Sequence, residues 1–441
     1  ERDNLKSSNI LILSPNSVFA DYISHILPEL GEENIREMSF DLYAYKELRK
    51  GVSADCEDRY DQLERRMRFP DQESQDRFDW KQSKAFIGEI EGFLAVLEDR
   101  LIEFKEVYFR GMTLTEEEMI ELFYFKFTET PLLNRMDAIK DYFIDSWETL
   151  NGRNISDDDQ ETLQMKFDKM YKTKDIYAIY NWMLEDCGCN LLPDVPYEKR
   201  KLPYEDVFPM LYLKYRLSGG NSTHKNIKHL VIDEMQDYSY LQYTILEMLF
   251  HCRMTILGDR AQTLDTKQQD VLRFLPKLLG REIRTIEIKK SYRNTLEIAR
   301  YAEKVSGVSD LELLDRHGKE VVEKTFNTDT ELLDELVCHL KCPGDFETAA
   351  LITTTEEEAF DLSRLLKLRG INVSYVDRNS SAFKKGLTVT TFYLAKGLEF
   401  DQVFALRGAK ENPLKNQAEY ICATRALHEL YIYEITDSLS K

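Results

Sequence analysis

The chain has 441 residues, 43% of them hydrophobic, which is enough for two or three packed domains and excludes a disordered protein. Its 79 acidic and 59 basic residues give a net charge of −20, which argues against a protein that coats nucleic acid by bulk attraction. Seven cysteines and the absence of an apolar run of ~18–20 residues indicate a cytoplasmic protein without a disulfide framework and without a membrane span.

The first predicted elements are a strand and a helix. Residues 10–13 (Ile-Leu-Ile-Leu) form an apolar run that is typical of a buried strand in a parallel sheet. After the polar residues 14–17, apolar side chains recur at helical spacing from 18 to 30, and Gly31 follows. We therefore expect residues 1–40 to open an α/β domain.

Residues 41–204 are predicted to form a helical insertion. Thr115 with Glu118 resembles a capping box, and Ser156 before three aspartates resembles another helix start. Residues 41–200 hold 36 acidic and 23 basic residues, net −13, whereas residues 201–441 have a net charge of only −3. Apolar residues also recur at helical spacing at Phe86, Ile90, Phe93, Leu94 and Leu97. The insertion is therefore either a set of ordinary surface helices or an acidic docking surface.

Beyond the polar segment 218–223, apolar runs alternate with helical stretches. This alternation predicts parallel, doubly wound sheets, and hence an α/β fold. We assign residues 205–280 to the first domain and residues 281–441 to a second one. The predicted strands are 229–232, 254–257, 285–288, 349–353, 373–376, 387–391, 403–406 and 430–433.

The strongest chemical signal is the acidic pair Asp233 and Glu234 at the end of the predicted strand 229–232. Ligands bind at the carboxyl ends of the strands in a parallel sheet. One carboxylate can hold Mg²⁺, which prefers hard oxygen ligands, and its neighbour can polarise an attacking water. We predict the first role for Asp233 and the second for Glu234.

Other polar residues follow the predicted strands. Gly258 and Asp259 end the run 254–257, and the amide of Gln262 can sense a phosphate or orient water. Arg293 and Arg425 can each bring a fixed cation to a transferring phosphoryl group. Each signal is weak by itself, and the set is informative.

Taken in order, these segments resemble the ATPase motifs of the UvrD/Rep-type superfamily 1 helicases. Residues 233–237 (Asp-Glu-Met-Gln-Asp) resemble the Mg²⁺- and water-activating motif, and residues 258–262 resemble the Gly-Asp-x-x-Gln coupling motif. Residues 291–293 match Asn-Tyr-Arg apart from Ser291. Residues 396–400 match Lys-Gly-Leu-Glu-Phe, and residues 423–426 contain the Thr-Arg-Ala motif.

The resemblance implies two RecA-like domains with a helical insertion in the first, and ATP with Mg²⁺ in the cleft between them. Asp233 would bind the Mg²⁺. The implied catalytic residues are Glu234, Gln262, Arg293 and Arg425. The implied ATP-binding residues are Asp233, Gln236, Gly258, Asp259, Lys396, Gly397 and Glu399. The residues implied to contact nucleic acid are Ser14, Asn16, Thr391 and Tyr393.

The chain departs from this family in three places. It has no G-x-x-x-x-G-K-[ST] loop, so we expect a fragment that begins after its P-loop and is inactive by itself, or else a degenerate protein that never had the loop. Residues 263–267 lack the base-stacking aromatic, and Tyr393 stands where helicases usually have His. About 90 residues separate Arg293 from Lys396, which leaves no room for a large second insertion.

Residues 13–32 and 233–239 resemble HelD-type RNA polymerase recycling factors. This resemblance implies an ATPase that binds bacterial RNA polymerase and helps to clear nucleic acid from it, with only weak DNA binding through this chain. The acidic insertion would then compete for a basic nucleic-acid channel. Two alternatives stay open: a 3′–5′ DNA helicase or translocase, and a non-catalytic interaction protein that keeps the motor fold.

Overall fold

The computed structural model describes residues 5–14, 36–220, 224–264, 271–280, 283–307, 312–341, 346–380, 384–408 and 412–435. The chain opens with two parallel strands, β1 (Ile10–Leu13) and β2 (Arg36–Met38). β1 is the predicted apolar run, and its Leu11 and Leu13 are fully buried. The helix predicted over 18–30 lies outside the described residues.

The sequence predicts a helical insertion over 41–204, and helices dominate residues 40–218. The predicted capping box of Thr115 and Glu118 is present, and Ser156 accepts the Asp159 N–H at a helix start. Phe86, Ile90, Phe93 and Leu97 lie on the buried face of one helix. The helices α1 to α9 are Phe40–Leu48, Arg59–Arg68, Gln72–Lys81, Lys84–Leu101, Glu116–Glu121, Arg135–Asn151, Asp157–Asp168, Ile176–Asp186 and Tyr204–Ser218. Short strands between them are β3 (Asp55–Cys56), β4 (Val107–Phe109), β5 (Met112–Leu114) and β6 (Lys201–Leu202).

The chain then returns to the first sheet through β7 (His229–Ile232) and β8 (Arg253–Ile256). The four strands are parallel, in the order β2-β1-β7-β8. α10 (Tyr240–Leu249) and α11 (Val271–Leu278) follow β7 and β8. Buried side chains of this sheet and of the helical region belong to one hydrophobic cluster, so the two parts share a core.

The second sheet has six parallel strands in the order β11-β16-β15-β12-β14-β13. The parallel sheets in both halves confirm the predicted α/β fold class. The remaining strands are β9 (Lys290–Ser291), β10 (Glu312–Leu313), β11 (Val322–Phe326), β12 (Thr348–Thr353), β13 (Ser374–Tyr375), β14 (Gly386–Thr391), β15 (Phe400–Arg407) and β16 (Ala426–Ile435). The helices are α12 (Leu296–Ser306), α13 (Asp329–Lys341), α14 (Glu356–Leu368) and α15 (Lys415–Arg425).

The second half differs from the prediction in several strands, among them the short β9 and β10, which were not predicted. The strand predicted over 285–288 is wrong: this segment is irregular, and Ile286 and Ile288 are exposed, with no sheet among the described residues packed on them. β11 was not predicted because its three central residues are polar and exposed, which suits the edge position that it occupies. Within the described ranges, no helix is long and apolar enough to cross a membrane.

Candidate active site

A tight turn follows β7 at the carboxyl edge of the first sheet. The Asp233 N–H donates to the Leu13 carbonyl at 3.0 Å, which continues the pairing of β7 with β1. The Asp233 Oδ1 accepts the Glu234 N–H at 2.9 Å. Glu234 adopts a left-handed conformation (φ 51°, ψ 52°), which is uncommon for a residue other than glycine. Such backbone strain is characteristic of functional sites.

Gln236 joins this turn to the one that follows β8. Its Nε2 donates to the Glu234 carboxylate, and its Oε1 accepts the Asp259 N–H at 3.1 Å. A Cβ on Gly258 would lie 2.5 Å from this Oε1 and 2.7 Å from the Met235 nitrogen. Position 258 therefore requires glycine, because any side chain would push the two turns apart.

Asp259 and Gln262 connect the first sheet to the second. The Asp259 carboxylate accepts hydrogen bonds from the Gln262 Nε2 at 3.0 Å and from the Tyr420 hydroxyl at 2.9 Å. The Gln262 Oε1 accepts the Arg425 Nη2 at 3.3 Å. Since Tyr420 and Arg425 both lie on α15, these two polar residues of the first sheet contact one helix of the second half.

Lys396 forms a second link between the halves. Its Nζ donates to the Asp237 Oδ1 at 2.7 Å, to the Asp237 Oδ2 at 3.0 Å and to the Gln262 carbonyl at 3.0 Å. Only 1% of Lys396 is exposed. Gly397 follows with φ 83°, a left-handed turn that glycine makes without strain.

Arg293 and Glu399 lie at the more exposed rim. The Arg293 Nε pairs with the Glu399 Oε1 at 2.7 Å, and both residues belong to the second half. Arg425 is instead buried, and its Nη1 donates to the Leu398 carbonyl at 3.4 Å. The structure thus brings the predicted catalytic and ATP-binding residues into one region, with Arg293 held by an acidic neighbour.

Three of the four residues predicted to contact nucleic acid are buried. Ser14, Thr391 and Tyr393 are at most 1% exposed, and Asn16 lies outside the described residues. The Tyr393 ring stacks on Tyr60 with centroids 4.9 Å apart, and its hydroxyl donates to the Glu64 carboxylate at 2.6 Å. These residues do not offer a nucleic-acid surface in this conformation.

The sequence profile of the UvrD/REP helicase N-terminal domain matches residues 19–264, which is more than half of the chain. The chain belongs to the UvrD/REP helicase family. It is therefore related to ATP-dependent helicase motors, which typically use Mg²⁺. No curated protein matches the chain.

Two solved structures are similar to parts of the chain. One is the C-terminal domain of a possible DNA helicase from Lactobacillus plantarum WCFS1, with 25% identity and a TM-score of 0.27. That match covers 33% of this chain and 89% of the other. The other is the PRRSV helicase, with 15% identity and a TM-score of 0.27, covering 60% of this chain and 46% of that one.

Burial raises the pKa of both acidic residues in the turn after β7. For Glu234 burial is the largest cause, Asp237 raises the pKa further, and the cations of Lys396 and Arg425 lower it. For Asp233 burial again dominates, while its bond from the Glu234 N–H and the charge of Arg425 oppose the rise in pKa. Burial also lowers the pKa of Arg425. Water is thus largely excluded from a set of opposed charges.

The donor set at this site fits Mg²⁺ bound together with a nucleotide. In the described part of the chain, no group of three or more His, Cys, Asp or Glu side chains is arranged to hold a metal ion. Mg²⁺ commonly needs only one or two carboxylates, because water and substrate phosphates complete its octahedron. Asp233 can supply such a carboxylate, and the cations of Arg293 and Arg425 lie near enough to lower its pKa.

The sequence motifs assigned no role to Asp237, Tyr420 or Arg59. In the structure, Arg59 pairs with Asp237 at 3.5 Å and the Tyr420 hydroxyl donates to Asp259. Asp237 carried a usable signal, since it closes the same motif as Asp233. Arg59 carried none, because it is one of many charged residues in the helical region. Its contact with the site depends on how that region packs.

Proposed function

We propose that this protein is an ATP-dependent motor that hydrolyses ATP with Mg²⁺ between its two parallel sheets and remodels complexes of RNA polymerase with nucleic acid. The observation that carries the ATPase part is the pair of buried contacts across the two halves. Lys396 lies 2.7 Å from Asp237, and Arg425 lies 3.3 Å from Gln262. A nucleotide beside Asp233 and Glu234 would then meet residues of both sheets.

Each residue has a definite role in this proposal. Asp233 would hold the metal, and bound Mg²⁺ would supply neutralisation of charge on the phosphates. Glu234, fixed by Gln236, would accept a proton from the attacking water. Its raised pKa brings it closer to the pKa at which a general base is most effective near neutral pH. Arg425 would place its fixed charge at the transferring phosphoryl group.

Gln262 is placed to couple the nucleotide to movement of the second sheet. Its amide bonds Asp259 on one side and Arg425 on the other. A phosphate that competed for Arg425 would weaken the second contact and leave the first. Arg293, whose Nε pairs with Glu399, would exchange this partner for a phosphate. These partner exchanges are the expected link between hydrolysis and domain movement.

Two observations favour RNA polymerase over direct stepping along DNA. Thr391 and Tyr393, which would contact a strand, are buried. Residues 41–200 carry a net charge of −13, which suits a basic channel of a protein partner better than a polyanionic strand. The resemblance of residues 233–239 to HelD-type factors is consistent with this choice. DNA binding through this chain should be weak.

The ATPase part is tested by steady-state hydrolysis of Mg-ATP by the full-length protein. Glu234→Gln should abolish turnover, while Glu247→Gln, on the partly exposed side of α10, should leave it unchanged. Turnover that Glu234→Gln leaves intact would contradict the assigned base. No turnover in the wild type, with or without RNA polymerase, would favour a non-catalytic interaction protein.

The partner is tested separately with purified RNA polymerase. We expect the protein to bind the polymerase, to do so less tightly as salt rises, and to release bound nucleic acid when ATP is present. Reversing the charge of the exposed acids Asp157 and Asp158 should weaken binding. Efficient unwinding of a duplex with a 3′ overhang, without polymerase binding, would instead identify a 3′–5′ DNA helicase.

A further inference from the structure

Helix α2 (Arg59–Arg68) belongs to the helical region by sequence but packs on the second half of the chain. Tyr60 and Met67 lie in the same buried cluster as Tyr393. The Glu64 carboxylate accepts the Tyr393 hydroxyl at 2.6 Å and the Glu356 N–H at 2.6 Å. The helix is therefore held along its length by residues of the second sheet and its helices.

Ion pairs extend this contact at both ends of α2. Arg378 pairs with Asp61, and Arg68 pairs with Glu357 at 3.0 Å. The Arg378 guanidinium also binds the Glu356 carboxylate, which fixes it against α14. A shift of the second half relative to the first sheet would have to move α2 with it, or break these contacts.

The first residue of α2 contacts the acidic turn of the candidate site. The Arg59 Nη2 lies 3.5 Å from the Asp237 Oδ2, and its Nη1 lies 3.6 Å from the Asp41 Oδ2. The Arg59 side chain is only 20% exposed. Asp237 is the same carboxylate that holds Lys396 at 2.7 Å. Three charged side chains from the helical region, the first sheet and the second half thus form one contiguous set.

We infer that Arg59 is a positioning residue for the nucleotide site. Through its ion pair, it couples movements of Asp237 and Lys396 to movements of α2 and the helical region. The inference rests on the proposed function, because it takes the nucleotide to bind beside Asp233. Its physical basis is competition. Asp237 has two cationic partners, so a shift of Lys396 during domain movement changes how firmly the carboxylate holds Arg59.

The first test compares the kinetics of two Arg59 variants with a control. Arg59→Met should lower kcat for ATP by about tenfold, the lower end of the loss seen when an outer partner of a site residue is removed, with KM little changed. Arg59→Lys keeps the charge and should recover most of kcat. Arg66→Met, two turns further along α2 and without an ion pair among the described residues, should match the wild type. Equal loss in Arg59→Met and Arg59→Lys would contradict a positioning role through charge.

The second test needs no turnover and uses hydrogen exchange with Mg²⁺ and a non-hydrolysable ATP analogue. In the wild type we expect the analogue to change exchange in residues 233–237 and also in residues 59–68. In Arg59→Met, only residues 233–237 should respond. If residues 59–68 of the wild type do not respond while 233–237 do, the inference is wrong and the proposed function stands. If neither segment responds, both are wrong.

Discussion

Replacing Gly258 by alanine tests how closely the two turns of the site are packed. A Cβ at this position would lie 2.5 Å from the Gln236 Oε1, 2.5 Å from the Met235 Cγ and 2.7 Å from the Met235 nitrogen. All three distances are far inside van der Waals contact, and one neighbour is backbone. Relief requires the turn after β7 to move away from the turn after β8.

We expect Gly258→Ala to lower the free energy of unfolding by about 1–3 kcal/mol, the usual cost of forcing extra volume into a packed site. The matched control is Gly92→Ala in the exposed face of α4, where an added Cβ meets nothing within 4 Å. Alanine in a helix interior is more favourable than glycine by about 0.8–1.0 kcal/mol, so this variant should be more stable than the wild type.

Urea unfolding of both variants measures the two effects under the same conditions. Gly258→Ala should also weaken binding of a fluorescent ATP analogue, because Gln236 fixes Glu234 and would be displaced. Gly92→Ala should bind the analogue like the wild type. If Gly258→Ala is as stable as Gly92→Ala and binds the analogue like the wild type, the two turns do not pack closely enough to require glycine at position 258.

Three further predictions concern single contacts of the site. Burial raises the pKa of Glu234 above 4.5, so its neutral form favours folding, and that contribution is lost as pH rises through the folded-state pKa. In unfolding titrations, Glu234→Gln should be more stable than the wild type at pH 7, and this advantage should vanish below pH 4.5. Asp237→Asn and Lys396→Met should each lower the free energy of unfolding by about 3–5 kcal/mol, because each breaks a buried ion pair. In a double-mutant cycle the double variant should lose clearly less than the sum of the two single losses, whereas additivity within about 0.5 kcal/mol would show no pairing. Tyr393→Phe should lower the free energy of unfolding by about 1.5–3 kcal/mol, because it removes the hydrogen bond to Glu64, and should leave binding of a single-stranded oligonucleotide unchanged. A loss of oligonucleotide affinity would show that Tyr393 contacts the strand.

Local patterns were sufficient for the parts of the fold whose strands are buried. The run 229–232 has the same bounds as β7, because its Leu230 and Ile232 are buried in the core against the first sheet's neighbours. The apolar pattern was misleading at 285–288, where Ile286 and Ile288 alternate with polar residues and no sheet in the described part of the chain covers them. It also missed β11, since an edge strand needs few apolar residues.

The candidate site could be predicted as a set of motifs, because each motif follows a strand and the carboxyl edges of parallel strands hold ligands. The contacts between motifs could not. The pairing of Lys396 with Asp237 joins residues 159 positions apart, and no local pattern encodes it. The burial of Tyr393 depends on Tyr60, which lies in a helix of the other half of the chain.

The roles of the individual site residues stay predictions. The residues differ in how many of their polar atoms already have partners within the protein. Gln236 has both ends of its amide engaged by Glu234 and Asp259, so it is better placed to hold the site together than to bind ATP directly. Glu399 has one carboxylate oxygen paired with Arg293, so a nucleotide would compete with Arg293 for this residue. Asp233 has the simplest geometry, with one oxygen bonded to its neighbour's N–H.

In the proposed function, residues of both sheets complete one nucleotide site. The decisive measurement is the rate of Mg-ATP hydrolysis by the full-length protein with Arg425→Ala, compared with the wild type. Arg425 lies on the second half and contacts Gln262 of the first. A cation that stabilises the transferring phosphoryl group is worth about 10³–10⁵ in kcat, so we expect a loss of that size with ATP binding retained. A variant that hydrolyses ATP at the wild-type rate would contradict a site shared between the two sheets.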